Sequence, residues 1–139
     1  MRVLWDTNVV VAGLVFARGQ AAQALYSGWE RWSQLLITQW IDAEAERILA
    51  TKFHAPDVWP GVRSRFRVLA DPPDDSIADW AEVLRDSQDA PITAACVWHQ
   101  ISHLVTGDKD LLEDPAVLTR LGEYGVHVLS VAHWLNITP

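Results

Sequence analysis

Four acidic side chains, far apart in the chain, are the residues best suited to hold a metal ion. They are Asp6, Glu44, Asp89 and Asp108. Carboxylates gathered in one place repel one another, and a hard divalent cation with oxygen ligands, Mg²⁺ or Mn²⁺, removes that repulsion. Such an ion can activate a water molecule and stabilise charge on a phosphodiester. The four acids therefore predict metal-assisted hydrolysis if the fold brings them together.

Two of these acids follow short apolar runs that read as buried strands. Asp6 comes directly after Val3–Trp5, and Asp108 follows the run at 101–106. Strands that alternate with helices predict a mostly parallel sheet with helices on both faces. Ligands bind at the carboxyl edge of such sheets, so both acids are expected there. A helix N-cap is the simpler role for Asp6, and it stays open at this point.

Glu44 lies within the apolar stripe of a helix predicted over 39–51. A carboxylate in that position must be paired, protonated or bound to a metal, because burying it alone is costly. An edge position that reaches water, or an ion pair with Arg47 or Lys52, would explain it equally well. The apolar stripe expected to face the protein consists of Trp40, Ile41, Ala45, Ile48 and Leu49.

Asp89 precedes a helix that has Pro91 in its first turn, where a missing backbone N–H does no harm. An N-cap role would by itself explain Asp89. The alternative is that its side chain points towards Asp6.

A run of alternating arginines allows two interpretations. The simpler interpretation is a solvated face. The more specific one is a strip of positive charge that contacts substrate phosphates. The residues concerned are Arg63, Arg65 and Arg67.

Composition sets limits on the class of protein. A chain of 139 residues that is half apolar is expected to form a single domain over 1–139. We expect no membrane span, because no apolar run nears the roughly 20 residues of a span. We expect no signal peptide, because the N-terminus has a strand-like pattern and an early Asp and not a basic region followed by a long apolar stretch. The lone Cys96 favours a reducing, cytoplasmic setting. The net charge of −7 argues against general binding to polyanions but allows a local acidic pocket.

The remaining elements are predicted from periodicity and turn residues. We expect helical pieces at 9–17 and 20–32, and a helix through Ile77, Trp80, Ala81 and Leu84. Strands are expected at 35–37, ending at Thr38 as a helix N-cap, and at 127–131 before a short tail. The segment 68–70 reads as a short strand or a helix end.

Around its acids the sequence resembles the PIN-domain family of metal-dependent ribonucleases. The matching segments are 3–10, the helix from Thr38 with Glu44, the segment from Asp86 to Ile92, and 104–112 with Thr106, Asp108 and Asp110. Each segment alone is a weak signal, but four in order over nearly the whole chain are fairly specific.

The resemblance implies a three-layer α/β/α sandwich and cleavage of single-stranded RNA by a metal-activated water. It implies Asp6, Glu44, Asp89 and Asp108 as the acids that bind Mg²⁺ or Mn²⁺, with Glu46 replacing Glu44 if the helix register differs. It also implies the toxin of a toxin–antitoxin pair, a VapC-like homodimer inhibited by a small antitoxin protein. Supporting roles are expected for Asn8, Thr106, Asp110 and Asp86.

Three other functions fit parts of the pattern. A haloacid-dehalogenase-like phosphotransfer domain also uses an acid at a strand end, but it needs a second acid where Asn8 stands. A receiver-like signalling module has an adjacent acid pair, and nothing pairs with Asp6. A PIN-like protein that binds RNA without cutting it remains the third alternative.

Overall fold

The computed structural model describes residues 1–137 as a single sheet covered by helices. The strands are β1 (Val3–Trp5), β2 (Leu35–Thr38), β3 (Phe66–Leu69), β4 (His103–Val105) and β5 (His127–Leu129). The helices are α1 (Thr7–Val15), α2 (Gln20–Arg31), α3 (Gln39–Thr51), α4 (Val58–Val62), α5 (Asp74–Ala81), α6 (Ala90–Trp98), α7 (Lys109–Glu113), α8 (Pro115–Glu123) and α9 (Val131–Ile137). Two 3-10 turns occupy Arg63–Arg65 and Ser87–Asp89.

The sheet is parallel throughout, with the order β3-β2-β1-β4-β5. The chain builds outward from β1 through β2 to β3, and then returns to the other side of β1 with β4 and β5. The order therefore reverses between β1 and β4, and crevices at such a switch point are where open α/β sheets bind ligands. Asp6 and Thr106 follow these two strands directly.

Close packing of helices on the sheet explains why β1 is buried on both faces. Leu4 and Trp5 are fully buried, and the Trp134 ring of α9 meets the Trp5 ring edge to face, with centroids 5.4 Å apart. In α2, a Cβ at Gly28 would lie 2.8 Å from Leu35 Cδ2 and 3.0 Å from Trp5 Cζ2. Only glycine lets α2 approach the sheet this closely. The three-layer α/β/α sandwich expected from the sequence is confirmed.

Among residues 1–137, no single helix has both the length and the apolar character needed to cross a membrane. Only α1 and α2 taken together meet those two criteria, and the chain bends by 101° between them.

Several element boundaries differ from the sequence-based prediction. The segment at 68–70 belongs to strand β3, which begins at Phe66. Helix α1 starts at Thr7, immediately after Asp6, because the Asp6 carboxylate caps its first turn. The sequence predicted a short tail after the last strand. This prediction is wrong for residues 131–137, which form α9. The chain between 109 and 123, for which no helix was predicted, forms α7 and α8.

Candidate metal centre

A cavity of about 460 Å³ opens at the carboxyl ends of β1 and β4. It receives all four acids that the sequence singled out, together with a fifth. Among residues 1–137, Lys52 is the one basic residue that lines it. The acids lining the cavity are Asp6, Glu44, Asp86, Asp89 and Asp108.

Asp6 lines the cavity and is only 7% exposed. Its Oδ1 accepts a hydrogen bond of 2.8 Å from the backbone N–H of Thr7, so the expected capping role is real. Its Oδ2 accepts one of 2.7 Å from the hydroxyl of Thr106. The pKa of Asp6 is raised to about 6, chiefly by burial and to a smaller extent by the charges of Glu44 and Asp108, while the two hydrogen bonds oppose the rise. The Asp6 carboxylate therefore caps α1 and is also placed to bind a metal ion in the cavity.

Thr106 links the two strand-end acids. Its Oγ1 donates to Asp6 and accepts a hydrogen bond of 3.0 Å from the backbone N–H of Asp108. Asn8 fixes the same loop, since its Oδ1 accepts from the N–H of Gly107 at 2.9 Å. The sequence predicted supporting roles for both residues, and the structure shows that each orders the loop carrying Asp108. Asp108 itself caps α7 through the N–H of Asp110.

Asp89 occupies the N-cap position of α6, but its side chain makes no capping hydrogen bond. It shares a hydrogen bond with the Asp108 carboxyl group instead, and its Oδ2 is buried without a partner among residues 1–137. The pKa of Asp89 is raised to about 8. Desolvation is the largest cause, and the hydrogen bond and charge of Asp108 and the charges of Asp86 and Asp6 act in the same direction. The capping explanation for Asp89 is therefore wrong, and its carboxyl group belongs to the cavity.

Glu44 is half-buried in the cavity wall, and within residues 1–137 it forms no ion pair with Arg47 or Lys52. Glu46 is exposed and does not line the cavity, so the expected helix register holds. This wall consists of side chains spaced four residues apart along α3 and its C-cap: Trp40, Glu44, Ile48 and Lys52.

A second, tighter arrangement of acids lies at the rim. Within the part of the chain described, one carboxylate oxygen from each of Asp86, Asp89 and Asp110 lies within 4.8 Å of the other two. The Asp110 carboxylate also lies 3.8 Å from a guanidinium nitrogen of Arg85. The two acids assigned only supporting roles thus flank Asp89 more closely than the sequence suggested.

The chemistry of these side chains fits a hard divalent cation. The donors are carboxylate oxygens, which Mg²⁺ and Mn²⁺ prefer. Two buried oxygens at the cavity, Asp89 Oδ2 and Thr7 Oγ1, have no hydrogen-bond partner in residues 1–137. Burial and neighbouring acids raise the pKa values of Asp6 and Asp89, so the charged forms of both carboxyl groups are disfavoured in the cavity. A bound cation would favour those charged forms.

Aromatic side chains at the mouth of the cavity were not predicted. Phe16 is 58% exposed and Trp40 is 40% exposed, and both line the cavity. Phe53 lies behind Phe16 in an edge-to-face contact at 6.3 Å. Trp40 was expected to face the protein, but its position four residues before Glu44 places both on the same face of α3. That spacing was the signal that could have revealed it.

The arginine strip does not reach this cavity. Arg63 holds Asp42 with a fork of hydrogen bonds, the shortest 2.7 Å, and this contact lowers the pKa of Asp42. The Arg65 guanidinium stacks 4.5 Å from the centre of the Trp29 ring. Arg67 lies in β3 beside Leu36, near the amino end of the sheet. Arg63 and Arg65 lie in the 3-10 turn and Arg67 lies in β3, so the three side chains have different surroundings and form no single strip.

Comparison with known proteins identifies the family. Residues 2–110 match the family model described as PIN domain, and this is more than half of the chain. The chain therefore belongs to the PIN-domain family. None of the curated proteins searched gave a significant match.

Three solved structures share the fold. A toxin-antitoxin complex from Klebsiella pneumoniae is 26% identical, with a TM-score of 0.60 over 90% of this chain and 95% of that one. The protein PAE2754 from Pyrobaculum aerophilum is 23% identical, with a TM-score of 0.59 over 89% and 95%. VapBC2 from Rickettsia felis, bound to a DNA fragment from its promoter, is 13% identical, with a TM-score of 0.63 over 93% and 99%.

Proposed function

We propose that this PIN-domain protein is an endoribonuclease that hydrolyses single-stranded RNA with the help of Mg²⁺ or Mn²⁺. The observation that carries the proposal is the convergence of Asp6, Glu44, Asp89 and Asp108 on one cavity at the switch point of the sheet. Family membership supports nuclease chemistry at this location. The unpartnered Asp89 Oδ2 supports an additional positive charge beside it.

The proposed roles of the side chains follow from their placement. The strand-end carboxylates of Asp6 and Asp108 and the adjacent Asp89 would hold the metal, together with Glu44 of α3. A divalent cation bound there would supply an activated water and stabilise negative charge on the phosphodiester. The chain supplies orientation: Thr106 fixes Asp6 and the Asp108 loop, and Asn8 fixes Gly107. Lys52 is placed at the cavity to contact a phosphate.

Exposed aromatic rings beside the acids favour a single-stranded substrate. Phe16 and Trp40 present ring surface at the cavity mouth, where unstacked bases can pack on them. Bases in a duplex are stacked on one another and cannot use such surfaces. The family resemblance implies a preference for RNA over DNA. The experiment below tests this preference and the preference for single strands.

The decisive test is cleavage of defined substrates by the purified protein. We expect Mg²⁺-dependent cuts in a mixed single-stranded RNA pool, little cleavage of duplex RNA or single-stranded DNA, and no cleavage with EDTA. Asp89→Asn should remove the activity, while Asp79→Asn, at an exposed site on α5, should keep it. RNA binding without cleavage at any metal concentration would instead favour the non-catalytic alternative.

We further propose that the protein is a toxin controlled by a small antitoxin protein and active as a homodimer. The Klebsiella pneumoniae structure, a toxin-antitoxin complex, supports the first part. The test is expression in a bacterial host, in which the wild-type chain should arrest growth and Asp89→Asn should not. Sedimentation of the purified protein tests the dimer. Normal growth with soluble, RNA-cleaving protein would contradict the toxin role.

A further inference from the structure

A second cavity, of about 440 Å³, lies at the end of the sheet opposite the metal centre. Its walls come from the amino ends of β1, β2 and β3 and from the loop between α2 and β2. Three arginines line it, and no Asp or Glu does. They are Arg2, Arg31 and Arg67. On a chain of net charge −7, this is a local concentration of positive charge.

Nothing in residues 1–137 neutralises these three guanidinium groups. None of them forms an ion pair within that part of the chain. Arg2 donates only its Nε, to the carbonyl oxygen of His99 at 3.1 Å, which leaves its terminal nitrogens available. The Arg31 guanidinium lies 4.9 Å from the centre of the Trp32 ring, a contact that orients it without cancelling its charge. Like charges held together in this way favour an anion from outside the chain.

A buried donor adds a second, independent observation. Trp5 also lines this cavity, is fully buried, and its indole N–H has no hydrogen-bond partner among residues 1–137. An unsatisfied buried N–H is costly, and a ligand oxygen that reached it would lower that cost.

We propose that this cavity is a phosphate-binding site that is separate from the metal centre. Arginine offers forked donors that match phosphate oxygens. Three arginines on different elements suit a tetrahedral anion with several free oxygens better than a planar carboxylate. The volume falls in the range of about 300–1,000 Å³ that accommodates small ligands. The phosphate is carried either by a free mononucleotide or by the terminal phosphate of an RNA strand.

The test measures binding by isothermal titration with EDTA present, so that the metal centre and its proposed activity do not contribute. The ligands are inorganic pyrophosphate, 5′-AMP, an RNA hexamer with a 5′-phosphate and the same hexamer with a 5′-hydroxyl. Succinate serves as the carboxylate comparison. We expect the phosphate ligands to bind, and the double variant Arg31→Gln/Arg67→Gln to weaken them about tenfold or more.

The control is Arg18→Gln/Arg47→Gln, which removes the same charge at exposed positions outside both cavities. It should bind as the wild type does. A hexamer that needs its 5′-phosphate for tight binding identifies an RNA end, and AMP that binds equally well identifies a free nucleotide. Absence of phosphate binding, equal loss in both double variants, or equal binding of succinate would overturn the proposal. None of these binding results depends on RNA cleavage at the metal centre, because EDTA is present throughout.

Discussion

The hydroxyl of Thr106 donates a hydrogen bond of 2.7 Å to the carboxylate of Asp6, a residue 100 positions earlier in the chain. This contact is possible because β1 and β4 are neighbours and end side by side. The same oxygen accepts the backbone N–H of Asp108. One fully buried hydroxyl thus sets the relative positions of two carboxylates in the cavity.

Thr106→Val should therefore lower activity without removing any acid. Valine has a similar shape but can neither donate to Asp6 nor accept from Asp108. Loss of a partner that orients a metal ligand costs about 10- to 100-fold in metal affinity or activity. The measurement is kcat/KM for RNA cleavage as a function of Mg²⁺ concentration, and more metal should be needed. Thr106→Ser should restore most of the activity, and Thr119→Val, at an exposed site, should leave it unchanged. Full activity in Thr106→Val would show that the hydroxyl does not position the acids.

Asp6→Asn should abolish cleavage while making the metal-free protein more stable at neutral pH. The folded-state pKa of Asp6 is raised from 3.8 to about 6, so its contribution to stability is fully present below about pH 4. It is lost as the pH rises through about 6, because the folded protein must then carry a buried charge, a cost of about 3 kcal/mol. Asparagine carries no such charge.

Urea unfolding with EDTA at pH 4 and pH 8 measures this effect. The variant should gain stability relative to the wild type on going from pH 4 to pH 8. If the difference in free energy of unfolding between the variant and the wild type did not change with pH, the pKa of Asp6 would not be raised in the folded protein. Asp79→Asn, whose side chain is exposed, is the control and should show no such trend.

Trp40→Ala and Phe16→Ala should weaken binding of single-stranded RNA. Stacking of a base on an aromatic ring contributes about 1–3 kcal/mol, so each variant should lose roughly 5- to 150-fold in affinity. Fluorescence anisotropy with Ca²⁺ in place of Mg²⁺ measures the binding. Trp98→Ala is the matched control, since Trp98 is 54% exposed but does not line the cavity. Equal losses in all three variants would indicate a general effect on folding.

Cys96 should be inert in the native protein. Its thiol is fully buried in α6, and burial raises its pKa well above the ordinary value. The thiolate is the reactive form, so a thiol reagent should label Cys96 only at the rate of unfolding. Rapid labelling at pH 8 without denaturant would show that α6, which follows Asp89, opens readily.

The placement of the four acids at one cavity could be predicted because strand ends and helix periodicity are local signals. Asp6 and Asp108 could be placed at one edge of the sheet from the apolar runs before them. Glu44 could be placed on the inner face of α3, since 100° per residue fixes its direction. For Asp89 the sequence allowed two roles, and the missing side-chain cap decided between them.

Contacts between distant segments were beyond the reach of periodicity. Arg63 pairs with Asp42, and Arg67 joins Arg2 and Arg31 at the other end of the sheet, because of how β2 and β3 align. Helices α7 and α8 are short and capped by Asp108 and Asp114, so they lack a long apolar period. The grouping of Asp110 with Asp86 and Asp89 depends on the same tertiary arrangement.

Direct measurement of Mn²⁺ binding tests the metal centre on which this account depends. Electron paramagnetic resonance of free Mn²⁺, titrated with protein at pH 7.5, reports the amount bound. We predict saturable binding by the wild type and by Asp79→Asn, and at least a tenfold loss of affinity in Asp89→Asn. Equal Mn²⁺ binding by the wild type and Asp89→Asn, or no binding by either, would contradict the assignment of this cavity as a metal centre.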